Sequence, residues 1–253
     1  MNVLKALIFD VDGTLADTER DGHRVAFNRA FEEAGLSWQW NVETYGALLR
    51  VTGGKERIRL FVEEYQPEFD SPPDLGEFIR KLHQSKTRYF VALLNSGAIQ
   101  LRPGVERLLN EARTTGLRLG IATTTTPQNV TALLHATLGA KSIDWFDVIA
   151  AGDVVPNKKP APDIYQYALD QMGLTAAECL AFEDSDNGLQ SSRSAGLKTI
   201  VTVNTYTRQQ SFAGAELVLS QLGEPDSKLT VLYGDAGDST FVDIPLLKRV
   251  FAD

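Results

Sequence analysis

The chain has 253 residues, of which 43% are hydrophobic and 23% charged, so it can bury one large core or two modest ones and has the balance of a soluble globular protein. A formal net charge of −8 opposes non-specific binding to nucleic acid or an anionic membrane surface, so an anionic ligand would need a locally basic site. One cysteine, Cys179, cannot form an internal disulfide, and no apolar run approaches the ~20 residues of a membrane span. With no signal-like start and no distinct apolar patch, a cytoplasmic monomer is expected.

Residues 3–9 are a short apolar run that reads as a fully buried strand. It stops at Asp10-Val11-Asp12-Gly13-Thr14, which puts two carboxylates at a strand's carboxyl end, where open α/β sheets bind their ligands. Crowded acids repel unless a cation separates them, and Mg²⁺ is the hard divalent ion expected at a phosphate site. A carboxylate held there can attack phosphorus while its neighbour moves protons, roles that fit Asp10 and Asp12 respectively.

After Leu15 the pattern becomes helical. Phe27, Ala30, Phe31 and Ala34 share one face, and Ile58, Phe61, Val62 and Tyr65 repeat the spacing, as do Phe78, Ile79 and Leu82 and then Phe90, Leu93 and Leu94. No convincing strand lies between residues 17 and 98, which predicts an all-helical insertion. Within it, Val51-Thr52-Gly53-Gly54-Lys55-Glu56-Arg57 joins a Gly-Gly pair to a helix start with two cations, a combination that suits an anionic group, although a solvated charged face would look the same. His23 is equally compatible with a structural hydrogen bond and a substrate contact.

From residue 101 strands and helices alternate. Strands are expected at 117–122, 146–150, 179–182 and 199–203, with a sixth at 216–219; the intervening helices imply crossovers and a parallel sheet covered on both faces. The last thirty or so residues read as loop plus a closing helix near 246–251. Polar groups follow each strand. Thr123 to Thr126 could cradle a phosphate or simply cap a helix, with Thr123 and Thr124 nearest the strand end. Lys158 and Lys159 precede Pro160-Ala161-Pro162-Asp163, whose prolines stiffen the presentation of an ammonium group. Glu183-Asp184-Ser185 puts a second acidic pair at a strand end.

Taken in order, D-x-D-G-T, the threonine turn, K-P-x-P-D and E-D-S-x-x-G resemble the four motifs of the haloacid dehalogenase superfamily, in its Mg²⁺-dependent phosphatase branch. The resemblance implies a Rossmann-like, doubly wound parallel sheet (residues 1–16 and 99–253) with a helical cap (17–98) that closes over the site. It implies a nucleophile at Asp10 and an acid–base group at Asp12. Thr123 and Lys159 would hold the phosphoryl group. Metal ligation would fall to Asp10, Asp12 and Asp184, with Glu183 beside them.

The words T-E-R-D-G-H-R and T-G-G-K-E-R, with A-G-D-V-V-P before the lysines, further resemble the CbbY group of sugar-phosphate phosphatases. That group is tied to carbon fixation and dephosphorylates xylulose 1,5-bisphosphate. The resemblance implies a small sugar-phosphate substrate contacted by Asp17, His23, Thr52, Gly54, Lys55, Arg57 and Thr124. Asp17 stands where that group is expected to carry glutamate. A phosphosugar mutase and a non-catalytic sugar-phosphate sensor are the alternatives.

Overall fold

The computed structural model describes residues 3–252. Strands β1 (Ala6–Phe9), β2 (Arg118–Thr123), β3 (Val148–Ala151), β4 (Cys179–Glu183), β5 (Lys198–Thr202), β6 (Leu217–Leu219) and β7 (Val231–Tyr233) form one sheet in the order β3-β2-β1-β4-β5-β6-β7. Every neighbouring pair is parallel except β6 and β7. The doubly wound sheet expected from the alternating pattern is therefore present, with an antiparallel edge strand that the pattern did not reveal. Val231, Leu232 and Tyr233 are all exposed and show no in/out alternation, so the periodicity had nothing to register.

The strand order reverses around β1. The chain leaves β1 for β2 and β3 on one side and returns to place β4 on the other, which makes the carboxyl ends of β1, β2 and β4 the switch point. Each of these strands is almost fully buried, as expected for a sheet sandwiched between helices. The expected first strand is shortened to four residues because Val3 is exposed and only the stretch from Ala6 pairs on both sides.

Flanking the sheet are α5 (Val105–Thr114), α6 (Pro127–Leu138), α7 (Asp163–Met172), α8 (Asp186–Ser194) and α9 (Ile244–Ala252); the numbering begins with four helices of the segment between β1 and β2. Those are α1 (Arg24–Glu33), α2 (Val42–Leu48), α3 (Gly54–Tyr65) and α4 (Leu75–Asn95), preceded by a single π turn, Glu19–His23. The two short apolar patterns at 78–82 and 90–94 are one helix of 21 residues, whose start Asp74 caps by accepting from the N–H of Glu77.

The helical segment has its own aromatic core of Phe27, Phe31, Trp38, Trp40, Tyr45 and Phe61. Phe31 is fully buried, with ring centroids 4.9 Å from Trp40 and 5.5 Å from Trp38. The two chain crossings into and out of this segment meet in an antiparallel bridge between Ala16 and Leu101, and Arg102 N–H donates to Leu15 C=O. Arg102, which no motif singled out, is buried there and donates to Thr202 C=O at 2.9 Å and Val203 C=O at 2.6 Å. Replacing Phe31 by alanine should cost about 3–5 kcal/mol of stability through the lost contacts and the cavity left behind. The check is the urea midpoint at unchanged m-value; a loss below about 1 kcal/mol would show that this aromatic layer is not closely packed.

Candidate active site

Three strand ends deliver the polar groups to one place. Asp10 follows β1, Thr123 is the last residue of β2, and Glu183 is the last residue of β4, with Asp184 next to it. A cavity of about 320 Å³ opens over them and is lined by Asp10, Asp12, Thr123, Lys159, Glu183 and Asp184 on the floor, with Glu19, Thr52 and Arg57 of the helical segment facing them.

Asp10, Glu183 and Asp184 are buried, with one oxygen from each lying within 4.8 Å of the others. Lys159, itself buried, donates to Asp10 Oδ1 at 2.7 Å, to Glu183 Oε1 at 2.6 Å and to Ala122 C=O at 2.9 Å. Tyr165 also donates its hydroxyl to Glu183 Oε1. One ammonium cannot neutralise three carboxylates. Burial pushes Asp10 up to about 8 even though Lys159 opposes it, and burial with the charges of Asp10 and Glu183 pushes Asp184 well above the usual carboxylate range. Lys159 shows the converse: burial works against its charge, but Asp10 and Glu183 outweigh it and hold the ammonium well above its ordinary value. An all-oxygen cluster with surplus negative charge suits a hard divalent cation, and Mg²⁺ fits it.

Asp12 is not a member of that cluster. Its Oδ1 accepts from Thr18 Oγ1 at 2.6 Å and lies 2.8 Å from His23 Nε2, both in the helical segment. His23 Nδ1 in turn lies 2.9 Å from Lys86 Nζ, which is buried between the rings of Phe27 and Phe90. Burial opposes the charge on Asp12, yet His23 and the Thr18 hydrogen bond outweigh it, and the carboxyl is held well below the usual range. Two neighbouring aspartates thus have affinities for protons driven in opposite directions, Asp10 upward by burial and Asp12 downward by its contacts with His23 and Thr18.

The remaining expected contacts divide. Thr52 donates its hydroxyl to Lys159 C=O and Thr124 lines the main cavity. Arg57 is buried, donates to Tyr45 Oη at 2.7 Å, lies 3.6 Å from Glu19 and leaves its Nε without a partner. Gly54 and His23 line an adjoining pocket of about 40 Å³. Lys55 turns away and pairs with Asp153 at 2.5 Å, and Asp153 also receives Lys158 at 2.6 Å, so Lys55 is a link between helical segment and core and does not line the main cavity. Asp17 is not brought to the site either: its side chain is 70% exposed and lies 3.6 Å from Arg102. Glu19, two residues on and the first residue of the π turn, lines the cavity instead.

Several site residues were missed. Lys86 had a readable signal, since it sits on the apolar stripe of Ile79, Leu82 and Phe90 where a lysine needs a reason. Tyr165 had one too, next to Ile164 on a buried face. Asn204 and Tyr206, in the loop after β5, had none. Cys179 is buried and its thiol is pushed up to about 12 by that burial, so it is an inert strand residue.

A family model described as haloacid dehalogenase-like hydrolase matches residues 4–196. The chain belongs to the haloacid dehalogenase-like hydrolases. It is 49% identical over 225 residues to the protein CbbY, plasmid, of Cupriavidus necator, covering 88% of this chain and 87% of that one. A crystal structure of CbbY from Rhodobacter sphaeroides in complex with phosphate superposes with a TM-score of 0.81 at 46% identity, covering 87% of this chain and 95% of the other. A mutant of the same protein, solved in complex with xylulose 1,5-bisphosphate, matches with the same score and coverage. This hydrolase is therefore an enzyme of the phosphatase kind within the family. Among the described residues, no helix is long and apolar enough to cross a membrane.

The raised Asp10 carboxyl carries a pH prediction. The metal-free protein keeps Asp10 protonated between the ordinary value of 3.8 and about 8, so the stability it contributes is present at low pH and is lost as pH rises through about 8. A cation requires the ionised form, so Mg²⁺ binding should release a proton within that window and tighten with rising pH. Calorimetry in buffers of different ionisation heat should show proton release near pH ~6.5; buffer-independent heats at that pH would refute it.

Proposed function

We propose that this hydrolase is a Mg²⁺-dependent phosphatase that removes a phosphate from a sugar bisphosphate, most specifically xylulose 1,5-bisphosphate. The observation that carries the reading is the division of labour between the two aspartates. Asp10 lies in the carboxylate cluster beside Lys159, whereas Asp12 is drawn out of it by Thr18 and His23.

In this reading Asp10 attacks phosphorus as the bond to the sugar oxygen breaks, giving an aspartyl-phosphate. Asp12, ionised in the free protein, gains a proton as the anionic substrate enters beside it, gives that proton to the departing sugar oxygen and then takes one from the water that cleaves the aspartyl-phosphate. Lys159 and the hydroxyl of Thr123 hold the oxygens of the phosphoryl group. Mg²⁺ bound by Asp10, Glu183 and Asp184 would supply the positive charge that lets a carboxylate approach a phosphate. Residues 17–98 act as a cap: Thr18, His23 and Lys86 set Asp12 only when that segment lies against the core, so the proton shuttle is complete only in the closed form.

The substrate's far end is assigned to Arg57. Its buried guanidinium lines the same cavity as Asp10, and a fixed positive charge there suits a second phosphate. The xylulose 1,5-bisphosphate bound to the Rhodobacter sphaeroides relative supports the same chemical class.

The test is phosphate release, with and without Mg²⁺, from xylulose 1,5-bisphosphate, ribulose 1,5-bisphosphate, a hexose 1-phosphate and phosphoglycolate. The xylulose bisphosphate should lead by about tenfold or more in kcat/KM, with phosphate appearing mole for mole as substrate disappears; equal rates on all four would sink the substrate assignment, and substrate loss without phosphate would indicate a mutase. Asp10→Asn should show no turnover, and Asp12→Asn should lose about 10²–10⁴-fold in kcat. Arg57→Met should raise KM for the bisphosphate. Lys55→Met should change KM less than about fivefold, because its partly exposed ion pair with Asp153 is worth about 0–1 kcal/mol.

A further inference from the structure

Asn204 lies in the loop after β5, outside every motif, and its side-chain amide is engaged through both its oxygen and its nitrogen. Its Oδ1 accepts from the backbone N–H groups of Tyr206 at 2.9 Å and Thr207 at 3.2 Å, and its backbone N–H donates to Thr207 Oγ1 at 3.0 Å. With the oxygen held by two donors, the nitrogen is the atom that must point the other way. Nδ2 donates to Asp184 Oδ2 at 2.7 Å. Among the described residues this is the one side-chain hydrogen bond that Asp184 receives, while its other neighbours, Asp10 and Glu183, repel its charge.

The approach of the two groups is built in from both sides. Gly13, with a φ of +88°, leaves the space they need, since a Cβ at that position would overlap both Asp184 Oδ2 and Asn204 Nδ2. The buried guanidinium of Arg102 then ties the two backbones together, donating to Gly13 C=O in the catalytic turn and to Thr202 and Val203 C=O immediately before Asn204.

We infer that Asn204 is a positioning residue for the metal site: its oriented N–H fixes the Asp184 carboxylate, holding one oxygen so that the other is presented to the cation. The inference rests on the reading of Asp10, Glu183 and Asp184 as that site. A carboxylate left without the donor would be free to rotate among its repelling neighbours, and outer contacts of this kind set metal affinity by about 10–100-fold.

The experiment is calorimetric titration of the full-length, metal-free protein with Mg²⁺, comparing wild type with Asn204→Ser and Thr207→Val. Serine can still accept from the turn's N–H groups but cannot reach Asp184; Thr207→Val removes a turn contact and leaves the amide in place. Asn204→Ser should bind Mg²⁺ about tenfold more weakly and raise the Mg²⁺ concentration for half-maximal activity, with kcat at saturating Mg²⁺ near wild type. Thr207→Val should bind as wild type does. Unchanged affinity in Asn204→Ser, or an equal loss in Thr207→Val, overturns the role for the amide and leaves a loop effect. If wild type itself binds no Mg²⁺, it is the metal site that fails.

Discussion

Three carboxylates brought within a few ångströms of each other in a buried pocket are unstable unless something offsets their charge, and most of this fold's polar interior answers to that condition. Asp10, Glu183 and Asp184 meet because β1 and β4 are adjacent and in register, Phe9 opposite Phe182. Lys159 from the loop before α7 supplies one charge, Tyr165 one hydrogen bond and Asn204 another. The remaining negative charge is the thermodynamic invitation to a divalent cation and, through it, to a phosphate.

The same condition explains why Asp12 must be kept apart. A fourth carboxylate in the cluster would deepen the repulsion, whereas a carboxylate partnered by Thr18 and His23 stays ionised on its own account. The partners come from the helical segment, so the chemistry of the core and the position of that segment are linked through a single side chain. Lys86 extends the chain of contacts into the aromatic layer, where burial pulls its ammonium down to about 8. Interactions in the polar interior and packing in the aromatic core are therefore parts of one arrangement.

The segment and the core meet through polar contacts, among them Thr52 to Lys159 C=O, Lys55 to Asp153 and Asn187 to Arg50 C=O at 3.3 Å, and through apolar ones, with Ala26, Phe90 and Leu94 sharing a buried cluster with Leu15, Val130 and Leu134. The polar contacts among these are individually weak, which is compatible with the movable cap proposed above. The bridge between Ala16 and Leu101 ties both crossings together, and a second bridge pairs Ala16 with Asp12.

Much of this was legible in the chain. Apolar runs ending in acids locate the strand tips, because burial of a strand and ionisation of a carboxylate are both local requirements, and the four motifs contain Asp10, Asp12, Thr123, Lys159, Glu183 and Asp184. The aromatic stripes likewise announce a helical segment between β1 and β2. What periodicity could not supply is direction in space. A lysine at 55 and an arginine at 57 are equivalent as symbols, and their separation into a core link and a cavity wall depends on how α3 is rotated. Asp17 and Glu19 are both acids in one short stretch, yet only Glu19 lines the cavity. Asn204 and Arg102 acquire meaning only when a loop and a chain crossing, each far from Asp184 in sequence, are brought beside it; long-range packing, which no local pattern encodes, decides which oxygen faces which donor.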